Sequence, residues 1–316
     1  MKKIINLIFV LFLMINLYAC NNNQINNKDH KISIVTTIFP IYDWTREIIK
    51  GNEDIELRYL LDNGLDLHNY QASAKDIIDI GNCDLFIYVG GESDTWVDDA
   101  LKEATNKNMK QLNLVELLGE DALIEELKEG MNIEEEEEEE EAIDEHVFLS
   151  IKNAIKYISI IKDEIIKLDK DNKDLYEKNS SDYINKLNEL DNKYNEILSK
   201  SKNKILIFAD RFPFRYLIED YHLDYYAAFL GCSAETEASF ETILFLTNKL
   251  NELNLKHILV LESSDQKIAK TIIDNSNIKD CEIEVIDSIQ STILKDNKTY
   301  ISIMENNLEV LKRSLN

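Results

Sequence analysis

Short apolar runs alternate with longer amphipathic segments along the chain from residue 32 onward. The short runs are typical of buried strands, and the longer segments repeat their apolar residues at helical spacing. Strands are predicted at residues 32–37, 55–61, 85–89, 205–209, 223–229, 258–261 and 283–286. Helices are predicted at residues 42–49, 73–80, 95–104, 147–167, 214–221, 237–253, 265–274 and 299–315. This order predicts an α/β fold with parallel, doubly wound sheets.

One uninterrupted helix is predicted between residues 174 and 201, where neither glycine nor proline occurs. Its apolar residues recur with the period of an α-helix and leave polar residues elsewhere. This stripe consists of Tyr176, Tyr183, Leu187, Leu190, Tyr194 and Leu198. The helix would be about 40 Å long, and its aromatic residues make a poor coiled-coil seam, which is the alternative. We therefore predict two doubly wound α/β lobes joined by one long linker helix, with a ligand cleft between the lobes.

The start of the chain has the features of an export and anchoring segment. Two lysines precede an apolar stretch at residues 4–18, and Leu-Tyr-Ala-Cys follows, ending at Cys20. This ending resembles a bacterial lipobox, in which the cysteine becomes the lipidated first residue; the alternative is an ordinary signal peptide with an incidental cysteine. We predict a signal peptide at 1–19 and a lipidated cysteine with a tether at 20–30. The protein would then be extracytoplasmic and anchored to the bacterial cell membrane by Cys20.

The remaining domain limits follow from the predicted elements. An N-terminal α/β lobe is expected at residues 31–172, with an acidic loop at 131–145 inside it. The linker helix is expected at 173–203 and the C-terminal α/β lobe at 204–316. No other run in the sequence is apolar for long enough to span a bilayer. The lipid is therefore the expected membrane attachment.

Acidic residues strongly outnumber basic residues, and the formal net charge is −25. This charge argues against binding to nucleic acid or to anionic lipid. Eight consecutive glutamates at residues 134–141 predict a solvated, cation-attracting loop; the plain alternative is a low-complexity tract that only adds solubility. Our hypothesis is that the tract gathers cations and passes them to a tighter site. The spacing of Cys83, Cys232 and Cys281 matches no zinc module, and no function is predicted for them.

Four short segments place candidate metal ligands near the ends of predicted strands or helices. Their ligating residues are His68, His146, Asp210 and Asp287. Each residue alone carries little weight, because a single histidine is more often a surface residue or a satisfied core residue. Two neutral imidazoles and two carboxylates together would neutralise a divalent cation and fill its coordination positions.

Taken together and in this order, the segments resemble the substrate-binding lipoproteins of zinc and manganese ABC importers. Residues 68–72, His-Asn-Tyr-Gln-Ala, are similar to that family's Pro-His-x-Tyr/Phe-Glu-Pro segment, without its prolines. Residues 144–150, Asp-Glu-His-Val-Phe-Leu-Ser, are similar to its Asp-Pro-His-Val-Trp-Leu-Ser segment. Residues 287–289, Asp-Ser-Ile, match the segment that carries its fourth ligand. Zinc members of that family have a loop rich in His, Asp and Glu just before the second histidine, where this chain has its glutamate tract.

The third ligand departs from that family's pattern. Phe212 fits the aromatic residue that follows the ligand by three positions. This match puts Ala209, which cannot bind metal, in the ligand position. Asp210 is the neighbouring carboxylate and the predicted substitute. The alternative is that Asp210 only pairs with Arg211 or Arg215.

The resemblance implies a metal-binding protein rather than an enzyme. The implied ligands are His68, His146, Asp210 and Asp287, with Glu235 and Glu237 as the alternatives to Asp210. The transported ligand would be Zn²⁺ or Mn²⁺, since nitrogen and oxygen ligands suit both ions, and we rank zinc first because of the acidic loop. The implied partners are an ABC permease and its ATPase, and we expect a membrane-anchored monomer that binds no nucleic acid.

Two other classes of function stay open on the sequence. A surface adhesin lipoprotein with a vestigial metal site is compatible with the missing third ligand. A secreted metallohydrolase would need a His-Glu-x-x-His cluster or a coordination position left open for water, and the sequence contains no such cluster. Tight binding of Zn²⁺ or Mn²⁺ would favour transport over the adhesin, and turnover of a peptide or ester would favour the enzyme.

Overall fold

The computed structural model describes residues 31–131, 142–233 and 237–316 of the chain. The predictions for Cys20, for the glutamates at 134–141 and for Glu235 lie outside these residues. Residues 33–316 cluster into a single unit. Within the described ranges, none of the helices has an apolar stretch of the length that a bilayer crossing requires.

The N-terminal lobe is built on a four-stranded sheet in the order β2-β1-β3-β4. Its strands are β1 (Ile32–Thr36), β2 (Ile55–Tyr59), β3 (Leu85–Tyr88) and β4 (Lys110–Asn113). β3 runs parallel to both β1 and β4, with Val35 opposite Phe86 and Ile87 opposite Leu112. Every residue of β3 is buried, as is usual for a central strand of a parallel sheet, and this position explains its continuous apolar run.

Five α-helices accompany this sheet among the described residues. They are α1 (Phe39–Ile49), α2 (Ala74–Asn82), α3 (Trp96–Lys102), α4 (Leu114–Leu118) and α5 (Ile151–Leu168). At the start of α2, Ser73 Oγ accepts the backbone N–H of Asp76 at 3.2 Å, and the Asp76 carboxylate accepts the N–H of Ser73 at 2.9 Å. This capping box satisfies two backbone donors at the helix start. Ser73 is therefore the N-cap of α2, and the helix predicted at residues 73–80 is present.

The C-terminal lobe repeats the arrangement with a sheet in the order β6-β5-β7-β8. Its strands are β5 (Ile205–Phe212), β6 (Asp224–Leu230), β7 (His257–Leu261) and β8 (Glu282–Ile286). Its helices are α7 (Arg215–Tyr221), α8 (Phe240–Leu253), α9 (Lys267–Asn275) and α10 (Tyr300–Ser314). β5 pairs in parallel with β6 and β7, and β7 pairs in parallel with β8. The pairing of β5 with β6 shifts between Phe208 and Arg211, so Ala209 and Asp210 lie at an irregularity of the strand.

The long helix α6 (Lys173–Ser199) is the predicted linker helix. All residues of its predicted apolar stripe are buried. The Tyr183 hydroxyl donates to the carboxylate of Asp43 on α1 at 3.2 Å. Further along, the Tyr194 hydroxyl donates to the carbonyl of Met304 on α10 at 2.6 Å. The stripe is therefore the face by which α6 contacts both lobes.

The two lobes also contact each other directly. The backbone N–H of Tyr300, at the start of α10, donates to the Asp43 carboxylate at 2.9 Å, and the Tyr300 hydroxyl donates to the Phe148 carbonyl at 3.0 Å. The Trp44 ring lies edge-on to the Tyr300 ring, with 5.3 Å between centroids. All four residues are buried. Apolar packing and satisfied buried hydrogen bonds therefore join the lobes.

The predicted fold class is confirmed, since two α/β lobes with parallel sheets flank one long helix. The sequence does not predict β4 or α4. β4 buries only Leu112, so it has no apolar run to mark it. Residues 147–149 form a separate 3₁₀ turn ahead of α5 rather than the first turn of that helix. The domain limits stay predictions.

Candidate metal centre

Two short turns carry the predicted histidines. His68 lies in a 3₁₀ turn, and the preceding Asp66 carboxylate accepts the backbone N–H of His68 at 3.1 Å. His146 directly precedes another 3₁₀ turn, and the Asp144 carboxylate accepts its backbone N–H at 2.8 Å. In both cases an aspartate two residues earlier fixes the local backbone. These turns bring the two imidazoles together, with their Nε2 atoms 3.2 Å apart.

The other ring nitrogen of each histidine faces an accepting oxygen. His146 Nδ1 lies 3.1 Å from Asp144 Oδ1. His68 Nδ1 lies 2.6 Å from Ser93 Oγ and 3.1 Å from Glu145 Oε1, and the Ser93 hydroxyl itself donates to Glu145. Both Nδ1 atoms are therefore placed to carry a hydrogen, since an ionised carboxylate or a hydroxyl that already donates can only accept. Partners in this outer position commonly fix the tautomer of metal-binding histidines.

When both imidazoles are neutral, this arrangement leaves two lone pairs facing each other. A neutral imidazole with its hydrogen on Nδ1 has an acceptor at Nε2. The Nε2 atoms of His68 and His146 are 3.2 Å apart, and two acceptors at that distance cannot satisfy one another. Two nitrogens bound to one tetrahedral zinc ion at about 2.0–2.1 Å would be about 3.3 Å apart. The spacing of the pair thus matches that of two ligands on one ion.

The electrostatic environment of the pair is negative. His146 is fully buried, and burial lowers its pKa, but the carboxylates of Asp144, Glu145 and Glu125 raise it by more, so the net shift is upward. Burial raises the pKa of Glu145, but contacts with His68 and His146 outweigh that effect and hold it below its ordinary value. The ionised carboxylates around the pair favour positive charge at this point, and a bound cation would supply it.

His68 lines a cleft of about 500 Å³ between the lobes, and the fully buried His146 lies against it. The residues that line it from the N-terminal lobe are His68, Asn69, Glu92 and Ser93. Those from the C-terminal lobe include Ala209, Asp210, Arg211, Cys232, Ser263 and Asp265. An ion bound at His68 would therefore be within reach of polar groups from both lobes.

A cysteine completes the cluster of ligating atoms. The Cys232 Sγ and one ring nitrogen from each of His68 and His146 all lie within 4.8 Å of one another. Cys232 follows Gly231, whose missing side chain is required, because a Cβ there would lie 2.9 Å from both His146 Cε1 and the Phe212 carbonyl oxygen. The sequence predicts no function for Cys232, since its distance along the chain from the histidines matches no metal motif. Only folding brings these residues together.

The surroundings of Cys232 favour the protonated thiol as long as no cation is bound. Burial raises the pKa of this thiol, and the carboxylates of Glu145, Glu125 and Asp144 raise it further. Glu125 Oε1 also accepts the backbone N–H of Cys232 at 3.1 Å, which fixes the loop beside the histidines. A bound divalent cation reverses this preference, because a coordinating thiol loses its proton.

Asp210 lines the cleft, but both of its carboxylate oxygens accept hydrogen bonds from the backbone. Oδ1 accepts the N–H of Arg211 at 2.9 Å, and Oδ2 accepts the N–H of Leu261 at 3.3 Å. The Arg211 guanidinium pairs instead with Asp66 at 2.7 Å, across the lobes. Among the described residues, no cluster of three ligating side chains includes Asp210. Its role as the third ligand stays a prediction.

Asp287 lies just after β8 and is paired with a cation of the protein itself. The Lys298 ammonium lies 3.0 Å from Oδ2, and the backbone N–H of Ile289 donates to Oδ1 at 2.8 Å. In the part of the chain that the structure describes, no metal-binding cluster joins Asp287 to the histidines. To bind a metal ion, Asp287 would have to give up its ion pair with Lys298. Its role as the fourth ligand stays a prediction. The alternative candidate Glu237 is exposed.

A second group of ligating side chains is a weaker candidate. His257, Glu282 and Glu284 lie together at the start of β7 and β8. The Arg313 guanidinium already donates to both carboxylate oxygens of Glu284, at 2.8 and 2.6 Å. This bidentate ion pair supplies the positive charge that a metal would otherwise bring. The paired histidines are therefore the better metal centre.

Known proteins with similar sequences define the family of this chain. The family model described as zinc-uptake complex component A, periplasmic, matches residues 34–314. The chain belongs to this family. It is 33% identical over 307 residues to the high-affinity zinc uptake system protein ZnuA of Bacillus subtilis, which covers 94% of this chain and 93% of that protein. The resemblance inferred from the sequence motifs is confirmed.

Other members of the zinc-uptake component A family extend the comparison. The chain is 32% identical over 316 residues to the zinc-binding lipoprotein AdcA of Streptococcus pneumoniae, which covers 99% of this chain but 61% of the relative's length. The structure of this chain is similar to the crystal structure of the Zn(II)-bound ZnuA-like domain of Streptococcus pneumoniae AdcA, with a TM-score of 0.71 and 30% identity. That similarity covers 90% of this chain and 99% of the domain. The two-lobed fold is therefore shared with the family.

Proposed function

We propose that this protein captures a divalent metal ion, Zn²⁺ before Mn²⁺, at the paired histidines of the cleft and delivers it to the permease and ATPase of an ABC importer. The main support is the pair of Nε2 atoms of His68 and His146, 3.2 Å apart, with each Nδ1 directed at an accepting oxygen. Relatives named for zinc binding and zinc uptake support zinc as the ion. The protein would act outside the cytoplasm, anchored by a lipidated Cys20.

The two lobes contribute differently to the proposed site. His68 and His146 both belong to the N-terminal lobe, so this lobe would bind the ion first. Asp210 and Asp287 stay the candidates for oxygen ligands from the C-terminal lobe. An ion bound by groups of both lobes would draw the lobes together. If the C-terminal lobe's ligands left the ion at the permease, the protein would bind the ion more weakly and could release it. Binding with release, rather than catalysis, is the proposed task.

The choice of zinc over manganese follows from the nitrogen ligands. Imidazole suits zinc well, whereas manganese prefers carboxylate, carbonyl and water oxygens. The general affinity order for divalent metals also places zinc above manganese. Manganese would be preferred only if the geometry of the site or the local supply of the ion favoured it.

Isothermal titration of the full chain with Zn²⁺ and with Mn²⁺ tests this proposal. We expect a Kd for Zn²⁺ below about 1 μM, which corresponds to about 8 kcal/mol. Replacing either histidine, His68→Ala or His146→Ala, should weaken Zn²⁺ binding by more than about 100-fold, since loss of an outer partner alone costs about 10- to 100-fold. His222→Asn is the matched control, because His222 is exposed and has a φ of 53°, which asparagine tolerates.

Two results of this titration would contradict the proposal. A wild-type chain that binds neither ion would favour the adhesin interpretation. Unchanged Zn²⁺ affinity in both alanine variants would place the ion elsewhere in the protein. Circular dichroism of each variant separates loss of the site from loss of the fold.

A further inference from the structure

We propose that Cys232 is a ligand of the transported ion and replaces the third ligand that Ala209 cannot supply. This inference rests on the proposed metal-binding function and names a further residue of the same site. The Cys232 sulfur, as a thiolate, would bind the ion together with the Nε2 atoms of His68 and His146. The site would then be a His₂Cys centre, with the remaining coordination position available to an oxygen ligand.

The distances in the cluster fit this assignment. A tetrahedral zinc ion with a Zn–S bond of about 2.3 Å and Zn–N bonds of about 2.0–2.1 Å separates sulfur from nitrogen by about 3.6 Å. The Sγ of Cys232 and one ring nitrogen from each histidine already lie within 4.8 Å of one another. The loop is held in place, because Glu125 accepts the N–H of Cys232 and Gly231 packs against the ring of His146. A small adjustment of the side chain would therefore suffice for coordination.

The fold explains how a ligating side chain at position 232 can take the place of one at position 209. Ala209 lies at the irregularity within β5, and Cys232 lies two residues beyond the end of β6. β5 and β6 are hydrogen-bonded neighbours in one parallel sheet, with Phe212 opposite Leu230. Ala209 and Cys232 both line the cleft. Side chains at positions 209 and 232 thus border the same space, and the cysteine can compensate for the alanine.

Coordination by Cys232 includes one proton transfer. The S–H bond of the thiol breaks, a Zn–S bond forms, and the proton leaves to solvent, so no oxidant or reductant takes part. The product combines one thiolate and two neutral imidazoles around a divalent ion. The negative groups that oppose an isolated thiolate, Glu145 and Asp144, are offset by the charge of the ion itself.

A thiolate ligand would also decide the choice of metal. Soft sulfur ligands favour zinc, whereas manganese prefers hard oxygen ligands. Cys232 would therefore be a specificity-determining residue. A Cys232→Asp variant should retain Mn²⁺ binding and lose most of the preference for Zn²⁺, as measured by the ratio of the two dissociation constants.

Cobalt provides a direct spectroscopic test of sulfur coordination. The probe is Co²⁺ added to the full chain carrying Cys20→Ala, so that this cysteine contributes no thiol. A thiolate bound to Co²⁺ gives a near-ultraviolet charge-transfer band, which we expect in the parent protein and in the matched control Cys281→Ser. In Cys232→Ser the band should disappear. Zn²⁺ affinity should fall by more than about 10-fold, since loss of a residue that only hydrogen-bonds a metal ligand already lowers affinity by about that factor.

The outcomes separate this inference from the proposed function. A parent protein that binds Zn²⁺ tightly but shows no charge-transfer band would overturn the role of Cys232 and leave the proposed function intact. A parent protein that binds neither Zn²⁺ nor Co²⁺ would overturn both. A band that survives Cys232→Ser and disappears in Cys281→Ser would assign the sulfur ligand to Cys281 and likewise overturn the inference.

Discussion

At the scale of single residues, one tripeptide orients both imidazoles. Asp144 accepts from the ring of His146, and the adjacent Glu145 accepts from Ser93 and lies 3.1 Å from Nδ1 of His68. The two neighbouring carboxylates thus serve two different histidines. Both rings are left with Nε2 directed at the same point, which is the arrangement that a metal ion requires.

Gly231 gives a prediction at this scale. In a Gly231→Ala variant the new Cβ would lie 2.9 Å from His146 Cε1, which is too close for the ring to keep its position. We expect Zn²⁺ affinity to fall about tenfold, as for loss of an orienting partner. The measurement is isothermal titration of the full chain, accompanied by urea unfolding.

Gly81→Ala is the matched control for this substitution. A Cβ at Gly81 comes no closer than 3.4 Å to any neighbour, and the residue lies in α2, away from the histidines. This variant should bind Zn²⁺ like the parent. Equal affinities in the Gly231 and Gly81 variants would show that the ring of His146 does not need its observed position.

The sequence suggests some residues of the proposed site and does not suggest Cys232, for a physical reason. His68 and His146 stand in local motifs, where flanking residues mark them. Cys232 has no such motif, since its relation to the histidines arises only when β6 packs into its sheet. Asp210 and Asp287 are suggested by motif position, yet their surroundings of backbone donors and Lys298 depend on contacts that the sequence does not display.

At the scale of secondary structure, elements with a periodic or continuous apolar pattern are predicted well. The stripe of α6 is apolar because each of its residues is buried against the lobes. The edge strand β4 is mostly polar, since it buries only Leu112, and it escapes prediction. The limits of a helix or strand are predicted less accurately than its presence. The α1 helix begins at Phe39, three residues before its predicted start at residue 42.

The start of α2 gives a prediction for the pH dependence of stability. Burial raises the pKa of Asp76, but hydrogen bonds from Ser73 and Tyr70 and the charge of Arg58 outweigh it and lower the pKa below its ordinary value. The ionised carboxylate is thus the form that stabilises the fold. Its contribution is present above the unfolded-state pKa of about 3.9 and is lost as the pH falls through the lower folded-state pKa.

An Asp76→Asn variant should therefore be less stable than the parent by about 1–3 kcal/mol at pH 7, with the difference shrinking as the pH falls below about 4. Urea unfolding of both proteins at several pH values measures it. Asp182→Asn, at an exposed position of α6, is the control and should change stability little at any pH. A deficit in Asp76→Asn that stays constant down to acid pH would contradict the assigned role of the carboxylate.

At the scale of the whole molecule, the proposed metal centre is connected to the contact between the lobes. Arg211 of the C-terminal lobe pairs with Asp66 of the N-terminal lobe at 2.7 Å, and the same Asp66 carboxylate accepts the backbone N–H of His68. Cys232 approaches the histidines from the C-terminal lobe. An ion bound at this point would therefore lie beside groups of both lobes.

Anomalous diffraction from crystals of the zinc-loaded full chain tests the central claim most directly. The account predicts one strong zinc peak about 2.0–2.1 Å from the Nε2 atoms of both His68 and His146, and about 2.3 Å from the Sγ of Cys232. A strong peak at the group of His257, Glu282 and Glu284, with none between the paired histidines, would contradict it.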